Sequence, residues 1–67
     1  MKTIIKVTTE NGEAILIGLP SVISIERLKI TRGSETVLLT KIQSRGAMVS
    51  THYVIETVEE IYNLINN

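Results

Sequence analysis

The side chains able to do chemistry are few: one histidine, His52, seven glutamates and seven lysines and arginines, with no cysteine and no aspartate in 67 residues. Acid–base catalysis needs titratable groups that converge, and nucleophilic catalysis needs a hydroxyl or thiol beside a base. His52 alternates with Met48, Ser50 and Val54 in a strand-like stretch and is expected on the outer surface, while several glutamates sit beside turns or on a solvated helix face. The pattern points away from an enzyme. A metal centre would need partners for His52 that the composition lacks. Gly12, Gly18, Gly33 and Gly46 do not have phosphate-binding spacing, and all but Gly18 coincide with expected turns, so no cofactor is implied.

Arg27, Lys29, Arg32 and Arg45 form the one cationic grouping, a candidate patch for RNA or an acidic protein. Glu26 and Glu35 flank it, which favours ion pairing across strands on a solvated face. Zero net charge and a pI near 6.6 supply no long-range field to draw in phosphate backbones, so nucleic-acid binding is the secondary reading. Tyr53 and Tyr62, the aromatic residues available to stack on bases, are expected on buried faces.

These groups must be positioned by strands, because the chain is rich in Ile, Val and Thr and poor in Ala. Residues 3–9 alternate, with Thr3, Ile5, Val7 and Thr9 on one side. Asn11-Gly12 predicts a two-residue hairpin turn into a strand over 13–18, which Leu19-Pro20-Ser21 ends. A third strand begins near Val22; Ile23 and Ile25 share a face but Leu28 and Ile30 have the opposite parity, which predicts a bulge near Arg27. Turns at Arg32-Gly33-Ser34 and at Gln43-Ser44-Arg45-Gly46 bound a strand over 35–42. A fifth strand follows over 47–55, with Val49, Thr51, Tyr53 and Ile55 inward. Val58, Ile61, Tyr62 and Ile65 then recur at helical spacing, with Leu64 widening the stripe, and Thr57 with Glu60 matches a capping box. The expected fold is therefore α+β and mostly β. It is a single domain over 1–67: an antiparallel meander of about five strands, curled or closed into a small barrel, with one C-terminal helix.

Apolar residues occupy both sides of two of these strands, Ile15 and Ile17 opposite Ala14 and Leu16, and Val37 and Leu39 opposite Leu38 and Ile42. One short helix covers one face of such a sheet, so the other needs curling or a second subunit. A chain this small also has little core to spare. The sequence thus favours a homo-oligomer, with Leu16, Leu38, Ile42, Ile61 and Ile65 as candidate interface residues. Lys6 breaks the apolar run after Met1-Lys2-Thr3-Ile4-Ile5, so no export signal is read, and no apolar stretch reaches the roughly 20 residues of a membrane helix. With no cysteine, a cytoplasmic location is expected.

Ile5-Lys6-Val7-Thr8, Asn11-Gly12, Val22-Ile23-Ser24-Ile25-Glu26, Thr36-Val37-Leu38-Leu39 and the closing Tyr53-Val54-Ile55-Glu56-Thr57-Val58-Glu59-Glu60-Ile61 together resemble the FlbD-like family of small bacterial flagellar and swarming-motility proteins. That resemblance implies a motility-associated accessory factor with no catalytic residues. Gly12-Glu13 leading to Ile17-Gly18, and Glu59-Glu60-Ile61-Tyr62, also resemble the carbon storage regulators, interlocked RNA-binding dimers. Val58 and Thr9 stand where that family carries its RNA-binding arginines. The leading expectation is a non-enzymatic, homo-oligomeric protein-binding or accessory module; the alternative is a small RNA-binding regulator.

Overall fold

Alternation in the first segment does produce a strand, β1 (Ile4–Thr8), with Ile5 and Val7 buried and Ile4 and Lys6 facing out. The computed structural model describes residues 3–67. In it β1 pairs antiparallel with β2 (Ala14–Gly18), from Ile4 opposite Gly18 to Thr8 opposite Ala14. The connection is a three-residue loop rather than the expected two-residue turn: Gly12 N–H donates to the Thr9 carbonyl at 3.0 Å and Thr9 N–H to that of Glu13 at 2.8 Å. Gly12 takes φ +88°, the left-handed position that follows a turn of this length and favours glycine.

A 3₁₀ turn at Leu19–Ser21, with Pro20 inside it, leads into β3 (Val22–Arg32), β4 (Glu35–Arg45) and β5 (Val49–Val54), a second antiparallel sheet in the order β3-β4-β5. The meander is thus broken between β2 and β3. The two sheets do not close into a barrel; an isolated bridge from Thr9 to Val54 and the Ile55 N–H to the Thr8 carbonyl, at 2.9 Å, join their ends. Gly33 and Ser34 connect β3 to β4, with φ +60° at Gly33 and no positive φ at Ser34, the pattern of a II′ hairpin.

The expected bulge near Arg27 is absent there. The β3–β4 ladder passes Arg27 in register, and the shift falls between Val22 and Ser24. The change of parity has another cause. Ile25 lies opposite Ile42 on one face of the sheet, while Leu28 and Ile30 lie opposite Leu39 and Val37 on the other, so the hairpin is apolar on both sides.

β4 is longer than expected because Ser44 and Arg45 remain in the ladder, and the turn falls at residues 46–48. This register decides β5. His52 stands opposite Ile42 and Val54 opposite Thr40, and both partners are fully buried. Val54 therefore enters the core with His52 half-buried beside it, while Val49, Thr51, Tyr53 and Ile55 are exposed, the reverse of the expected sides.

The last segment forms α1 (Val58–Asn66), capped reciprocally by Thr57 and Glu60. It packs on β1 and β3 through buried Ile61 and half-buried Leu64 and Ile65. Val58 and Tyr62 turn outward, so the working stripe is narrower than the sequence suggests. The core joins Ile5, Val7 and Ile17 to Ile42, Val54 and Ile61, with β1–β2 and α1 both on the same side of the three-stranded sheet. Ile61→Ala should lower the unfolding free energy by about 2–5 kcal/mol in urea titrations. Thr57→Ala should lower it by about 1 kcal/mol through the lost cap. Tyr62→Ala, at a side chain 64% exposed, should change it by less than about 0.5 kcal/mol.

Candidate functional site

Strand alternation places Leu28, Ile30, Val37 and Leu39 together on the face of β3–β4 that points away from Ile42 and the core. Leu39 sits in the central strand with Leu28 directly across and Val37 and Lys41 on either side of it in the same row. It is 3% exposed yet stands outside the main core cluster. Tyr53 extends the row onto β5 opposite Lys41, and Ile55, 51% exposed, lies just past the end of that strand. The rim is polar: Lys41 Nζ reaches Glu26 Oε1 at 3.0 Å, and Ser24 Oγ bonds Gln43 Oε1 at 3.1 Å. The core cluster draws its β1, β2 and α1 members to the Ile42 side, and this face, with Leu28, Ile30 and Val37 half-buried, stands open at Tyr53 and Ile55.

The candidate interface residues are dispersed. Ile42 and Ile61 are fully buried in the chain's own core, and Ile65 packs against it, so the expectation that Ile42 and Ile61 offer surface to a partner is corrected. They were read as spare because the sequence does not show which face the helix covers. Leu38 is exposed but shares a side with Thr40 and Ile42, opposite to the open face, and Leu16 is exposed on the outer side of β1–β2. The open face pairs Val37 and Leu39 with Ile30 and Leu28, whose role the sequence disguises as a bulge.

The basic residues do not gather into one patch. Arg27 Nη1 donates to Thr40 Oγ1 at 3.0 Å and to the Glu56 carbonyl at 3.3 Å. Arg32 makes a two-pronged pair with Glu10 at 2.7 and 2.9 Å, latching the tip of β3–β4 to the β1–β2 loop, rather than pairing with Glu35. Arg45 lies at the far end of β4, beside a cleft of about 430 Å³ that Ser21, Ser44 and Ser50 also line. Lys29 is exposed opposite Leu38. The tyrosines, expected to be buried, are instead exposed on two separate elements.

Among the described residues no group of three or more His, Asp, Glu or Cys could hold a metal ion. No helix among them is long and apolar enough to cross a membrane.

Two carboxylates are held below the usual 4.5, Glu60 chiefly by the Thr57 backbone N–H and Glu10 chiefly by hydrogen bonds from Arg32. A carboxylate depressed in the folded state stabilises it above the unfolded value, and that contribution disappears as pH falls through the folded value. The thermal midpoint should therefore fall between about pH 5 and about pH 3. The Glu10→Gln/Glu60→Gln double variant should show a shallower fall in scanning calorimetry, and an unchanged slope would remove these groups from the acid response.

Comparison of the chain with protein-family models, curated proteins and solved structures finds no match.

Proposed function

We propose that this chain is a non-enzymatic assembly module that works as a homo-oligomer, with the open face of β3–β4–β5 seated against a second copy. The observation that carries this reading is the apolar row of Leu28, Leu39, Ile30 and Val37, which stands outside the main core cluster and runs on to exposed Tyr53 and Ile55. Half-buried Leu28, Ile30 and Val37 and exposed Tyr53 and Ile55 still offer apolar surface there, and contiguous apolar surface promotes association.

The dimensions support it. The chain presents 4716 Å² to solvent, where a compact monomer of its mass would present about 4,200 Å². Its radius of gyration is 12.1 Å, against about 11 Å for a compact chain of this length. The charge pattern supports a copy of the chain in particular. Lys41 is already neutralised by Glu26 within the same face, so a two-fold contact need not bury an unpaired charge there.

The cations favour this reading over RNA binding, since Arg27 and Arg32 are held by partners within the chain and Arg45 lies at the other end of the hairpin. The resemblance to flagellar accessory proteins agrees with an assembly role.

Light scattering across dilution should give a mass of at least two chains at micromolar concentration. Val37→Glu, on the open face, should shift the midpoint of association to at least tenfold higher concentration, while Leu38→Glu, on the other side, should leave it in place. A native protein that stays monomeric at every concentration would overturn the proposal, as would equal effects of the two substitutions. Binding of pooled RNA that weakens steeply with salt would favour the regulator instead.

A further inference from the structure

A sheet that does not close has edges, and the edges of this chain differ in chemistry. The outer edge of β3 carries Glu26, Arg27, Lys29 and Arg32 within eleven residues. In a two-fold antiparallel pairing that continues the sheet, residues standing opposite each other have the same parity. Centring such a pair on Glu26, Arg27 or Lys29 sets that residue against itself, and centring it on Leu28 sets Arg27 against Lys29. Each of these central registers opposes like charges, so pairing of β3 with its own copy along its middle is disfavoured. β5 is engaged at its end by the Thr9–Val54 bridge and by the Ile55 N–H to the Thr8 carbonyl.

β2 has neither defence. Its sequence is Ala14-Ile15-Leu16-Ile17-Gly18, with no charge and no proline, and Leu16 at its centre is 69% exposed. β1 occupies one side of it, and the principal contacts among the elements include none along the other.

We infer that β2 is a second assembly seam, which pairs antiparallel with β2 of another copy of this chain about a two-fold axis at Leu16. That register sets Leu16 against its own copy, Ile15 against Ile17, and Ala14 against Gly18, with no charge anywhere in it. On the inner side, the row of Ile5 and Ile17, already paired within the chain, continues into Ile15 and Val7 of the other copy. Half-buried Ile15 thereby gains a neighbour, and the two cores join through one four-stranded sheet. On the outer side the two exposed leucines cover each other. The seam is separate from the open face of β3–β4–β5, so a molecule with both has two different contacts to its copies.

The chain has no cysteine, which makes cross-linking a clean test. Opposed residues in an antiparallel pair have Cα atoms about 4.5–5.5 Å apart, within reach of a disulfide. Leu16→Cys should convert nearly all the protein to a covalent dimer under glutathione oxidation, reversed by reductant. Ala14→Cys should stay at background, because copies of residue 14 would lie about 13 Å apart along the strands. Thr51→Cys, on β5 and on the open face, should stay at background once Val37→Glu has removed the open-face contact. Circular dichroism and a urea midpoint near that of the native protein confirm that each variant is folded.

The same three substitutions repeated in Val37→Glu protein read the edge without the open face, so this inference and the proposed function fail separately. Cross-linking of Leu16→Cys no greater than that of Ala14→Cys, or, in Val37→Glu protein, cross-linking of Thr51→Cys in its place, would overturn the assignment.

Discussion

Three parts of the molecule meet at one residue, Glu56. Its carboxylate accepts the Thr8 backbone N–H at 2.9 and 3.0 Å, at the point where β1 reaches the end of its ladder and meets β5. Its carbonyl accepts from the buried Thr40 hydroxyl and from Arg27, and the next residue, Thr57, caps the helix. β1, β3, β4 and α1 are all placed relative to this residue. A half-buried N–H or hydroxyl without a partner would be costly, and Glu56 supplies partners to both sheets. With no disulfide in the chain, this junction and the apolar core behind it hold the sheets at their angle.

From that arrangement follows the division of the molecule into a covered side and an open one. Once α1 has been launched from Thr57 toward β1 and β3, it shares with β1–β2 the task of covering the Ile42 side of the sheet. A small domain has a high ratio of surface to core, and burial of apolar area is the main favourable term it can add. Leu28, Ile30, Val37 and Leu39 lie on the other side, outside the main core cluster.

The polar contacts serve geometry more than binding. The Arg32–Glu10 pair is exposed, and pairs of that kind contribute little to stability, but its two prongs join the tips of two hairpins that share no ladder. Lys41 and Glu26 likewise set a polar border beside the apolar row. The side chains that suggested a nucleic-acid patch in the linear sequence are thus spent in separate places, because β-strands carry neighbouring residues to opposite faces and sequence proximity is not spatial proximity.

The strands, the glycine turns and the capping box were legible from residue types alone, because each depends on local conformation: alternation in residues 4–8, positive φ at Gly12 and Gly33, and the reciprocal bonds of Thr57 and Glu60. The inward side of β5 was not. Val49, Tyr53 and Ile55 looked like the apolar set, yet pairing with β4 put Val54 inside, since the partner of buried Thr40 must share its face. The same ambiguity made a two-faced β3 look bulged and made Ile42 and Ile61 look available. Periodicity gives the existence and period of a strand, but where both parities are apolar it cannot say which side meets the core. That choice belonged to long-range contacts: the ladder register, the break at Leu19–Ser21 and the meeting of Thr8, Thr40 and Arg27 at Glu56.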